Sequence, residues 1–220
     1  MAFVGGVIAR FERSAESVAK RELIHGIIAF GGGILVAAVA LALIPKGIEV
    51  LHVVPLVATF CAGGITFCML EAYLDSRGGS AAQFMAMLLD FVPEAISLGA
   101  LFETDRRLGI LLAAFIGAQN LPEGFNSFRE IVAKGVKPRT TLLILLAAGV
   151  LGPIAACAGY FLLQDNPELT AGIMTFASGG ILYLIFQDIA PQSEMRKHWT
   201  PPLGAVLGFS VGLLGEKLIG

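Results

Sequence analysis

Two short segments share the pattern polar-x-x-Pro-Glu: Asp90-Phe-Val-Pro93-Glu94 and Gln119-Asn-Leu-Pro122-Glu123. Residues four apart lie on one face of a helix, so each pair presents its oxygens together, with Asn120 beside Gln119. Pro93 and Pro122 lack the amide hydrogen that would bond four residues back, which leaves the carbonyls of Leu89 and Ala118 available to an ion or to water. Three carboxylates, two carboxamides and free carbonyls are what a partly dehydrated divalent cation needs in place of its hydration shell. The set contains no imidazole and no thiolate. One Pro-Glu alone reads equally as a structural kink. Two of them, on successive helices, favour an ion site formed by Asp90, Glu94, Gln119, Asn120 and Glu123.

The elements that carry these residues are membrane spans. Only 15% of the 220 residues are charged and 56% are hydrophobic, whereas about a quarter of a soluble domain is charged. Mean hydropathy is +0.80. Leu23–Pro45, Val50–Leu70, Thr140–Gln164 and Leu169–Gln187 hold no Asp, Glu, Lys or Arg, and each is long enough to cross ~30 Å of hydrocarbon as a helix. Ser80–Phe102, Leu108–Phe128 and Thr200–Ile219 are further spans, interrupted by Asp90 and Glu94, by Glu123, and by Glu216 with two prolines. A carboxylate within a span is costly and is a functional hypothesis by default.

Lys and Arg orient the bundle. With the loop before Leu23 cytoplasmic, alternate loops collect Arg10, Arg13, Lys20 and Arg21, then Arg77, then Arg129, Lys134, Lys137 and Arg139, then Arg196 and Lys197, leaving Lys46, Arg106, Arg107 and Lys217 outside. The first basic loop is mixed with Glu12, Glu16 and Glu22, so it reads as a topogenic signal and excludes nucleic acid as a partner. Cys61, Cys68 and Cys157 lie in apolar spans without CxxC spacing and form no disulfide framework. Met1–Ala9 is apolar but precedes the basic residues and is too short to span, so residues 1–22 read as a shortened first helix and a cytoplasmic loop within one membrane domain, 1–220.

An internal repeat sets the architecture. Phe30-Gly-Gly-Gly-Ile-Leu leads to Pro45, and Phe176-Ala-Ser-Gly-Gly-Ile-Leu leads to Pro191 at the same spacing. The two helices run in opposite directions, as do the two Pro-Glu helices. The chain is therefore expected to be an all-α polytopic transmembrane bundle of seven to eight helices built on an inverted repeat, the plan of many secondary transporters. The glycines read as sites of close helix packing.

Gly117 and Gln119-Asn-Leu-Pro-Glu-Gly124-Phe125 resemble the fifth-helix signature of the ZIP (zinc/iron-regulated transporter-like) metal transporters, in the GufA-like branch. Asp90-Phe-Val-Pro-Glu-Ala resembles the fourth-helix motif His-Asn-x-Pro-Glu-Gly in altered form, and Gly31–Pro45 and Phe176–Pro191 resemble the second and seventh helices. The resemblance implies an eight-helix bundle, dimeric in many members, moving zinc, iron, manganese or related ions toward the cytoplasm by an elevator-like motion. It implies a homodimer in the plasma or inner membrane, with the metal ion as transported substrate. Asp90, at the family's His position, Glu94, Gln119, Asn120 and Glu123 would hold the metal.

The departures from that pattern are specific. Phe91 replaces Asn, Ala95 replaces Gly, Ala42 stands where the second helix often has His, and Gly152 stands at a sixth-helix position where relatives commonly place Glu. These changes compromise a binuclear site and leave one oxygen-rich site, and the loss of imidazole leans the chemistry from zinc toward manganese or magnesium. His25, His52 and His198 fall at span boundaries and read as interfacial positions; Asp188 either lines an exit path or caps a helix end. No nucleotide-binding loop, GxSxG or HExxH points to an enzyme. The competing reading is a degenerate ZIP-like protein that no longer transports and serves as a subunit or scaffold of a larger membrane complex.

Overall fold

The computed structural model describes residues 1–12, 17–77, 91–102, 106–163, 166–195 and 198–219. They form eight helices: α1 (Ala2–Phe11), α2 (Val18–Val50), α3 (Val53–Arg77), α4 (Phe91–Phe102), α5 (Arg106–Ala133), α6 (Pro138–Leu163), α7 (Pro167–Ser193) and α8 (Thr200–Ile219). No strand occurs among the described residues. The all-α bundle expected from the sequence is therefore the fold. Of the expected span over residues 80–102, residues 80–90 lie outside the described part.

Five helices, α2, α3, α5, α6 and α7, are long and apolar enough to cross a membrane. Their burial separates two roles. The apolar stretches of α2 and α7 are 61% and 56% buried, and that of α3 only 11%. Large side chains such as Val53, Val54 and Met69 of α3 and Leu143, Ile154 and Phe161 of α6 stand exposed, as a lipid-facing surface requires. The core lies where α2, α4, α5 and α7 meet, around Ile34, Leu43, Leu101, Leu112, Met174 and Ile181.

Glycines bring the helices together in four pairs. Gly5 of α1 abuts the Leu121 carbonyl of α5, and Gly124 of α5 abuts the Ala2 backbone. Gly33 of α2 meets the Ala205 carbonyl of α8, and Gly208 of α8 meets that of Phe30. Gly63 of α3 and Gly179 of α7 face the carbonyls of Phe176 and Phe60, and Gly99 of α4 and Gly159 of α6 face those of Ala156 and Ile96. Exchanging α1 with α6, α2 with α7, α3 with α8 and α4 with α5 maps these four pairs onto one another. That is the exchange demanded by the Phe-to-Pro repeat of α2 and α7 and by the two Pro-Glu helices.

The repeat extends to a backbone irregularity. α2 widens into a π-helical turn over Ala38–Leu43, and α7 does so over Ile185–Ile189. Each turn closes at the residue before a proline: Ile44 N–H donates to the Val39 carbonyl, and Ala190 N–H to that of Ile185. A proline has no N–H to continue the ladder, so a locally expanded turn takes up the mismatch.

The glycine contacts are directly testable. Gly99→Ala places a methyl against the fixed backbone of Ala156, so α4 and α6 must separate. Overpacking of this kind costs ~1–3 kcal/mol, enough to lower the melting temperature in detergent by roughly 5 °C. Gly149→Ala on α6 meets no atom within 4 Å and should leave it unchanged. Equal melting temperatures for the two variants would contradict this packing.

Candidate metal-binding cavity

α5 carries the polar stripe. Gln119, Glu123, Asn126 and Ser127 recur at the spacing of one helical face, and all four line a cavity of about 100 Å³. Gly31 and Gly32 of α2 form the opposing wall, where the absence of a Cβ allows close approach: a Cβ at Gly31 would stand 3.2 Å from Pro122 Cγ. α7 contributes Asp188 and Gln192, also four apart. Asp188 lies in the π-helical turn, so the irregularity before Pro191 sits at the cavity wall.

The deep end is closed. Glu94 has no exposed surface, and its Oε2 accepts a 2.6 Å hydrogen bond from Gln119 Nε2, joining α4 to α5. Gln119 is 3% exposed, and its Oε1 has no hydrogen-bond partner among the described residues. A buried carbonyl oxygen without a donor is a site ready for a cation or a water. Gln119 thus belongs to both halves of the arrangement, bonded to Glu94 on one side and facing the cavity of Glu123 and Asp188 on the other. Among the described residues no three His, Cys, Asp or Glu side chains converge closely enough to hold a metal ion.

Asn120 turns the other way. Its Nδ2 donates to the Ile116 carbonyl at 2.6 Å, and it lines a separate cavity of about 160 Å³ with Phe91, Gly117 and Gly149. There Phe91 packs on Gly152, so that a Cβ at position 152 would fall on the ring. The aromatic ring occupies the space that a longer side chain at 152 would need. Glu94, Gln119 and Glu123 are thus grouped around one side of α5, Asn120 stands apart, and Asp90 lies outside the described residues.

Asn126, Ser127 and Gln192 were not singled out from sequence. The periodic recurrence of polar residues after Gln119, and of Gln192 one turn after Asp188, is the signal that marks them. The histidines stand away from the cavity: His52 is exposed, His25 lies near the start of α2 and His198 Nδ1 lies 3.7 Å from Glu22. The three cysteines are all exposed.

The chain is 31% identical over 156 residues to the protein named zinc transporter GufA of Myxococcus xanthus, a match covering 68% of this chain and 60% of that protein. It is 24% identical over 141 residues to the protein named zinc transporter ZIP13 of Pongo abelii, covering 59% of this chain and 42% of the other. The chain therefore spans less than two thirds of the length of either curated relative. No family model matches it.

Proposed function

The chain belongs to the ZIP family, on its GufA-like side, and from that premise we propose that it carries a divalent metal cation across a cell membrane toward the cytoplasm. One observation carries the reading: a fully buried Glu94, bonded to Gln119, which itself lines the cavity of Glu123 and Asp188 and keeps a buried carbonyl oxygen without a donor among the described residues. An acid buried within a membrane bundle is expensive, and neutralising a transported cation offsets that cost.

Glu94, Gln119 and Glu123 supply the main ligands, with Asp90 and Asn120 joining them when the ion is bound, and Asp188 lines the way out. Zinc is the first substrate to test, because both relatives bear its name; manganese and iron suit the oxygen-rich donor set equally. The protein works as a homodimer in the plasma or inner membrane, performs no catalytic step and needs no nucleic acid.

The experiment is uptake by purified protein in liposomes across zinc, manganese, iron and magnesium. Saturable zinc uptake above that of empty liposomes is the expected result. Its absence for every cation would favour the second reading, a non-transporting subunit of a larger membrane complex, to which the packing of Phe91 on Gly152 lends weight.

A further inference from the structure

The cavity has a mouth as well as a deep end. Asn126 and Gln192 are both partly exposed, whereas Gln119, two turns back along α5, is 3% exposed. Asn126 Nδ2 donates to Gln192 Oε1 across the opening at 2.9 Å, and to Glu130 Oε1 on its own helix at 3.0 Å. Both N–H groups of the Asn126 amide are therefore committed. On the third side, Ile28, Gly31 and Gly32 of α2 offer no polar side chain. The Asn126–Gln192 bond is thus a polar tie drawn between α5 and α7, at the end of the cavity that faces the basic loop of Lys134, Lys137 and Arg139.

We propose that the Asn126–Gln192 pair is the gate of this cavity, and that a cation enters or leaves at the basic end when the bond parts. The inference rests on the transport reading above. Chemistry suits the pair to the task. Two carboxamides bind a divalent cation far more weakly than the carboxylates deeper in, so an ion reaching them is released and not held. A neutral hydrogen bond of this kind adds so little net stability that thermal motion parts it readily. A gate alters the rates of entry and exit equally and leaves equilibrium affinity where it was. A merely structural tie would change affinity or stability instead.

The test uses the full chain in detergent, loaded with zinc, with Cys61, Cys68 and Cys157 replaced by serine. Asn126→Cys with Gln192→Cys, joined by a short bis-methanethiosulfonate reagent, should release zinc to a chelator at least about tenfold more slowly, with recovery on reduction. Gln192→Leu should speed release on the order of fivefold, the scale of one neutral hydrogen bond, with Kd for zinc unchanged. Release from the joined protein at the unjoined rate would overturn the gate, as would two cysteines that react with the reagent but never with each other. An unaltered release rate in Gln192→Leu would do the same. A protein that binds zinc but moves none across liposomes sinks the transport reading alone, because the release assay still judges the gate. A protein that does neither sinks both.

Discussion

Glu123→Gln is expected to reduce zinc uptake about a hundredfold while leaving the folded bundle unchanged, a loss of roughly 2.7 kcal/mol in transition-state terms. The substitution keeps the size of the side chain and one carbonyl oxygen. It removes a full negative charge from a cavity whose other carboxylate, among its lining residues, is Asp188. Two unit charges 4 Å apart attract by about 4 kcal/mol at an effective dielectric constant of 20, and a divalent ion doubles that. A hundredfold effect is therefore a conservative figure for a direct ligand, and far too large for a residue that merely lines the wall. Folding should survive, because Glu123 is only partly buried and the helix contacts nearby run through Gly124 and Pro122. Uptake equal to that of the parent, at an unchanged melting temperature, would remove Glu123 from the ion's path.

What was legible in advance follows from how strongly each feature constrains the chain. The spans were legible because burying backbone in lipid leaves only helices: α2, α5 and α7 enclose the stretches read from hydropathy, and α6 covers all of its own but Gln164, which lies outside the described residues. The repeat was legible from Phe30 to Pro45 and from Phe176 to Pro191, since glycine and proline are tied to backbone geometry and not to a particular surface. Its finest expression, the matching π-helical turns, was not. Between the matching aliphatics Val39/Ile185 and Leu43/Ile189, Ala40-Leu-Ala42 shares no side-chain type with Phe186-Gln-Asp188, and the shared cause is the proline that follows each turn.

The site was legible in part for a related reason. Spacing assigns Gln119 and Glu123 to one face, and the structure groups them with Glu94. Adjacent residues on a helix diverge by about a quarter turn or more, so Asn120 faces Phe91 and the second cavity. Asn126 and Gln192 become a pair only once α5 and α7 are side by side, a relation between residues 66 apart that no local pattern contains.

Asp90→His is the change expected to alter selectivity most. Asp90 lies outside the described residues, and its spacing and chemistry define its expected role. It stands four residues before Glu94, the interval that puts two side chains on one helical face, and Glu94 is fully buried against Gln119. In the proposed site an aspartate there would give the donor set a third carboxylate and keep it free of nitrogen, which suits manganese or magnesium at least as well as zinc. Imidazole would withdraw one negative charge and supply the borderline nitrogen donor that zinc prefers. The ratio of zinc to manganese affinity should accordingly rise by roughly tenfold, the scale on which a single change in or around a metal's ligands acts. Competition binding on parent and variant measures that ratio directly, and total affinity need not increase for the prediction to hold. A ratio that stays level or falls in Asp90→His would show that position 90 does not touch the ion. The proposed site would then be reduced to Glu94, Gln119, Asn120 and Glu123, with Asp188 lining the same cavity as Gln119 and Glu123.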